Sequence, residues 1–184
     1  MKHSDQMEKY LLDTNICIFL FKGKYGVNEQ LKRVGFQNCC ISEVTLAELK
    51  YGAECSDRIA ENMEMVDDFA KVITIVPIFN SLGIYAKEKA RLRKAGLSID
   101  DFDILIGVTA VANNLVLVTD NERHLSRISK VKIELNRTCD RHKVHLSHIR
   151  NYIPILFHTV PVPANSYPST KNHHHEISSA WSLF

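Results

Sequence analysis

Short apolar runs alternate along this chain with longer stretches in which apolar residues recur every three or four positions. Residues 9–13 form the first run, a short buried strand. Thr14-Asn15 then offers helix-capping chemistry, and Ile16, Ile18, Phe19, Leu20 and Phe21 follow on a helix. Gly23 and Gly26 bracket a turn, and Val27 to Val34 reads as a second short helix. Cys39-Cys40-Ile41 is a strand, and Ser42, with Thr45 as the alternative, caps a helix carrying Leu46, Ala47, Leu49 and Ala53. Residues 57–71 have helical spacing, and the β-branched run Val72-Ile73-Thr74-Ile75-Val76 is a strand stopped by Pro77. Helices are predicted at 78–95, ended by Gly96, and at 101–113. A strand at 115–119, a short helix at 122–128 and an edge strand at 131–135 complete the pattern.

The strands are apolar on both faces and alternate with helices. That predicts an α/β fold, a central parallel sheet covered by helices on each side. Ligands of such folds bind outside the carboxyl ends of the strands. Four acids stand at or near those ends: Asp13, Glu48, Asp103 and Asp120. Carboxylates at the ends of buried segments are costly without a purpose. Gathered in one crevice they repel one another unless a cation holds them, and hard ions such as Mg²⁺ and Mn²⁺ prefer such oxygen ligands. The pattern points to a metal-dependent enzyme acting on a phosphate ester. Asp100 and Asp101 suit the first turn of a helix and are read as structural.

Composition divides the chain near Leu135. Residues 1–135 hold 18 Lys and Arg against 19 Asp and Glu, whereas 136–184 hold 5 against 2, with seven of the nine histidines and four of the five prolines. The first part reads as one nearly neutral domain. The second is expected to be a poorly ordered extension, dispensable for activity. No run of 18 apolar residues occurs, and Met1 to Gln6 lacks the apolar stretch of a signal peptide, so a cytoplasmic protein is expected. The five cysteines include no Cys-x-x-Cys pair, which argues against a zinc site and for buried free thiols. Neither G-x-G-x-x-G nor a P-loop is present.

Four segments together resemble the PIN-domain family, above all the VapC-type toxins of bacterial toxin–antitoxin pairs. They are Leu11-Leu12-Asp13-Thr14-Asn15, Ser42-Glu43-Val44-Thr45-Leu46-Ala47-Glu48-Leu49, Ile99 to Gly107, and Leu117 to Leu125, and the resemblance spans about residues 8–135. It implies a three-layer α/β/α sandwich and a Mg²⁺- or Mn²⁺-dependent endoribonuclease. It also implies a cognate antitoxin and a homodimer. By match, Asp13, Glu48 and Asp103 are the core metal-binding acids. Family members often carry the fourth acid where this chain has Asn121. Asp120 is the acid expected here, with Asn121 as a weaker ligand or water-orienting group. Thr14 and Asn15 are expected to orient Asp13, and Thr119 to orient Asp120. Lys87, Lys89, Arg91, Arg93 and Lys94 crowd one helix, and Arg91, Arg93 and Lys94 are the expected RNA contacts. The competing reading is a regulatory PIN protein that works mainly in a DNA-bound complex with its antitoxin.

Overall fold

The computed structural model describes residues 8–135; the expectations placed on 136–184 lie outside the described residues. Five strands form one parallel sheet: β1 (Tyr10–Leu12), β2 (Cys39–Ser42), β3 (Thr74–Val76), β4 (Val116–Thr119) and β5 (Lys132–Leu135). Their spatial order is β3-β2-β1-β4-β5. Around them pack α1 (Thr14–Phe21), α2 (Val27–Val34), α3 (Glu43–Glu54), α4 (Ile59–Val72), α5 (Leu82–Lys94), α6 (Asp101–Ala112) and α7 (Glu122–Leu125).

Alternation along the strands divides the core into two layers. Leu12, Cys39 and Ile41 face a cluster with Ile16, Leu49, Val66 and Phe69. Leu11, Cys40 and Leu117 face the opposite cluster, with Leu92, Ile104, Ile106 and Leu125. Successive strand residues point to opposite faces, so a three- or four-residue strand feeds both layers. β1 lies at the centre, paired with β2 on one side and β4 on the other. The chain leaves β1 toward one half of the sheet and returns later to build the other. That reversal places a crevice outside the carboxyl ends of β1 and β4.

Several boundaries differ from the periodic reading. The cap of α1 is Asp13 itself, whose Oδ1 accepts the Thr14 N–H at 2.8 Å. Val72 ends α4 rather than opening β3; the Ile73 N–H closes that helix on the Phe69 carbonyl at 3.1 Å. β-propensity yields there to the continuing helical ladder. The segment 78–95 begins with a single tight turn, Phe79–Ser81, before α5. Ser42 caps α3 as expected, accepting the Thr45 N–H at 2.9 Å. Ile18 is buried, Phe19 and Phe21 pack against the core, and Tyr25 lies edge-on to Phe19 with ring centroids 4.5 Å apart.

Cys17, Cys39 and Cys40 are buried free thiols, while Cys55 is exposed. Burial pushes the Cys39 thiol up to about 12 and Cys40 up to about 11, so neither is a nucleophile at neutral pH. Among the described residues, no helix is long and apolar enough to cross a membrane.

Candidate active site

The acidic site is assembled from chain segments that end or begin at one edge of the sheet. Asp13 follows β1 directly and is 4% exposed. Its Oδ2 accepts the Thr119 hydroxyl at 2.6 Å and the Asn15 amide at 3.0 Å. Thr119 ends β4, and the parallel pairing of β1 with β4 brings the two residues together. Thr119 therefore serves Asp13, not Asp120.

Glu48 rides the buried face of α3, which Ser42 launches from the end of β2. It is 7% exposed, and its Oε2 accepts the Thr14 hydroxyl. Thr14 thus spans two acids, with its backbone on Asp13 and its side chain on Glu48. Asp103 sits in the first turn of α6. Its Oδ2 accepts the Asn121 amide at 3.1 Å, and the Asn121 N–H in turn donates to Thr119 Oγ1 at 2.9 Å.

The electrostatics join these acids into one group. Burial pushes the Glu48 carboxyl up to about 7, and the charges of Asp13 and Asp100 add to the rise. Burial likewise pushes Asp103 up to about 7, reinforced by Asp13, Glu48 and Asp100. Asp13 is raised by burial, against the hydrogen bonds from Thr119, Thr14 and Asn15. The ion pairs formed among the described residues use Asp67, Glu61, Asp68, Asp101 and Glu88, none of them in this group. Buried like charges of this kind resist joint ionisation.

The remaining expected residues fall elsewhere. Asp120 is exposed at the rim; its backbone N–H donates to Asn15 Oδ1 at 3.4 Å. Asp100, read from sequence as a first-turn residue, instead caps α6 by accepting the Phe102 N–H at 2.9 Å. Its charge also bears on Glu48 and Asp103. The only sequence signal for that second role was its place one turn before Asp103. Arg91, though exposed, is engaged within the fold. Its guanidinium grips the buried Glu88 carboxylate at 2.6–3.2 Å and donates to the Arg127 carbonyl at 2.6 Å. Ser129 N–H completes the clamp on Glu88 at 2.7 Å. Arg93 and Lys94 are exposed near the end of α5.

Among the described residues, no three acidic, histidine or cysteine side chains already stand close enough to chelate an ion. The donor set is nonetheless all oxygen, buried at Asp13 and Glu48 and half-buried at Asp103, and mutually repelling. Those are the properties that fit a hard divalent cation and suit neither a soft metal nor a thiolate site.

Comparison with known proteins settles the family. The PIN domain matches residues 10–131. The chain belongs to the PIN-domain family. This PIN domain is 33% identical over 129 residues to the tRNA(fMet)-specific endonuclease VapC of Shigella flexneri, across 70% of this chain and 98% of that protein. It is 36% identical over 132 residues to Ribonuclease VapC2 of Haemophilus influenzae, with the same coverage of 70% and 98%. Among solved structures, DNA-bound VapBC from Salmonella typhimurium superposes with a TM-score of 0.66 at 30% identity, covering 71% of this chain and 99% of that one. VapBC2 from Rickettsia felis, bound to a DNA fragment from its promoter, gives 0.63 at 31% identity, covering 68% and 97%. The PIN domain is therefore of the VapC type, and the three-layer α/β fold is that of its relatives.

Proposed function

We propose that this chain is a Mg²⁺- or Mn²⁺-dependent endoribonuclease, the toxin of a toxin–antitoxin pair, working in the cytoplasm. The observation that carries the reading is the trio Asp13, Glu48 and Asp103. All three stand at the carboxyl edge of the sheet near the β1–β4 switch, with raised pKa values, and none is ion-paired to a Lys or Arg among the described residues. These three would hold the ion, with Asp100 or Asp120 completing the acidic set. A bound divalent ion supplies charge neutralisation at a phosphodiester and a water made acidic enough to attack it. The chain's own contribution is orientation. Thr119 and Asn15 fix Asp13, Thr14 fixes Glu48, and Asn121 fixes Asp103. Donors of this kind hold geometry and favour the charged carboxylate that a metal ion needs.

The relatives named as ribonucleases and the VapBC complexes support a nuclease with an antitoxin partner, and we expect a homodimer as the resemblance implies. The Shigella flexneri relative makes initiator tRNA the first RNA to try. The DNA-bound complexes also favour a second role, in which the toxin–antitoxin assembly occupies promoter DNA. Inducible expression in a bacterium, followed by mapping of new RNA 5′ ends, tests the nuclease reading. Growth arrest with one dominant new end, absent for Asp13→Asn, is expected. Equal arrest by both forms with no new ends would reject it.

A further inference from the structure

A cleft opens between the end of α5 and the first turn of α6, the turn that carries Asp103. Leu97, Ile99 and Ile104 give it an apolar floor, Ser98 forms its lip, and Lys89 and Arg93 stand at its rim. Its volume is about 320 Å³, the lower end of the range for small-molecule sites. Lys89 and Arg93 are four residues apart on α5 and so share one face. Lys89 is already engaged, donating to Asp101 at 2.6 Å and to the Tyr85 hydroxyl at 3.0 Å. Arg93 is exposed and makes no ion pair with any described residue.

The cleft and the acidic site share structure. Ile104 follows Asp103 directly, and the linker that walls the cleft runs into Asp100, whose charge reaches Glu48 and Asp103.

Resting on the nuclease reading, we infer that this cleft is the subsite for an unpaired nucleotide flanking the scissile bond. Its base lies on the Leu97–Ile99–Ile104 floor, and Arg93 takes its phosphate. Unpaired bases offer an apolar face to such floors, and a guanidinium matches phosphate geometry. An open apolar floor with a free cation suits a nucleotide better than an apolar helix, which needs no cation.

The test uses the full chain, cleaving initiator tRNA or the RNA found by end mapping. Two variants that melt like the wild type are compared: Arg93→Ala, and Ser98→Trp, which puts a bulky ring at the lip. Both are expected to raise KM about tenfold with kcat within about twofold, and Arg93→Lys to recover part of the loss. In the cleavage-dead Asp13→Asn background, the same two changes weaken RNA binding by a similar factor. If the wild type cuts RNA and both variants keep its KM, the subsite is overturned while the nuclease reading stands. Weakened antitoxin binding with unchanged RNA kinetics overturns it equally and assigns the cleft to the protein partner. A wild type that neither cuts nor binds RNA removes the nuclease reading and the subsite together.

Discussion

The amide of Asn121 donates to Oδ2 of Asp103 at 3.1 Å, linking the loop after β4 to the first turn of α6. The backbone of Asn121 is itself fixed on Thr119, which holds Asp13. One residue thus sets the relation between two acids 90 positions apart in sequence. Asn121→Ala is expected to lower kcat/KM for RNA about 10–100-fold, with the melting temperature little changed. Retained activity in a folded variant would show that Asp103 is oriented without it.

Asp100 and Asp120 make different contributions. The Asp100 charge raises both Glu48 and Asp103, whereas Asp120 stands exposed at the rim. Asp100→Asn should weaken Mn²⁺ binding by about tenfold and Asp120→Asn by less than about threefold, measured by calorimetry on the full chain. The reverse order would return Asp120 to the place that the sequence first suggested for it.

The metal-free protein should lose stability as pH rises. The folded-state carboxyls of Glu48 and Asp103 are pushed up to about 7, above the ordinary values of 4.5 and 3.8 expected when unfolded. A raised acid binds its proton more tightly in the folded state. Its contribution is complete below the unfolded value and is lost as pH climbs through the folded one. Glu88 and Asp101 are lowered and change stability only at more acid pH. In EDTA, the melting temperature should therefore fall between pH 5 and pH 8. The fall should exceed that of Asp103→Asn by about 5 °C. Added Mg²⁺ should reverse it. An identical pH profile in the variant would show that Asp103 does not titrate in this window.

Arg91 and Arg93 lie two residues apart on α5 and are expected to fail in opposite ways. Arg91 donates to Glu88 and to the Arg127 carbonyl, and Glu88 in turn accepts the Ser129 N–H, a clamp that ties α5 to the segment after α7. Arg91→Ala strips the buried Glu88 carboxylate of its cation, so it should lower the urea midpoint while leaving KM for RNA within about twofold. A stable Arg91→Ala protein with a raised KM would restore Arg91 as an RNA contact.

Strand and helix order were legible because most strands are short apolar runs and the helices keep their period, and Asp13 is visible because it closes one such run, Tyr10–Leu12. The capping of α1 by Asp13 was not legible, since Thr14 and Asn15 are equally good capping residues by type. Nor was the partition of the threonines: Thr119 belongs to Asp13 only because β1 and β4 pair in parallel, a relation 106 residues apart in sequence. Val72 was misplaced because local β-propensity carries no information about a helix still closing its last turn. The engagement of Arg91 was only half visible, since Glu88 lies three residues before it but the Arg127 carbonyl lies 36 residues beyond it.

The central claim is that Asp13, Glu48 and Asp103 form a metal centre for cutting RNA. The most direct measurement is single-turnover cleavage of initiator tRNA across a Mg²⁺ and Mn²⁺ titration, for wild type, Asp13→Asn and Asp103→Asn, with EDTA as the control. The account predicts cleavage that saturates with metal, stops in EDTA and falls at least about 1,000-fold in both variants. Cleavage that persists in EDTA, or variants that cut at the wild-type rate, would contradict it.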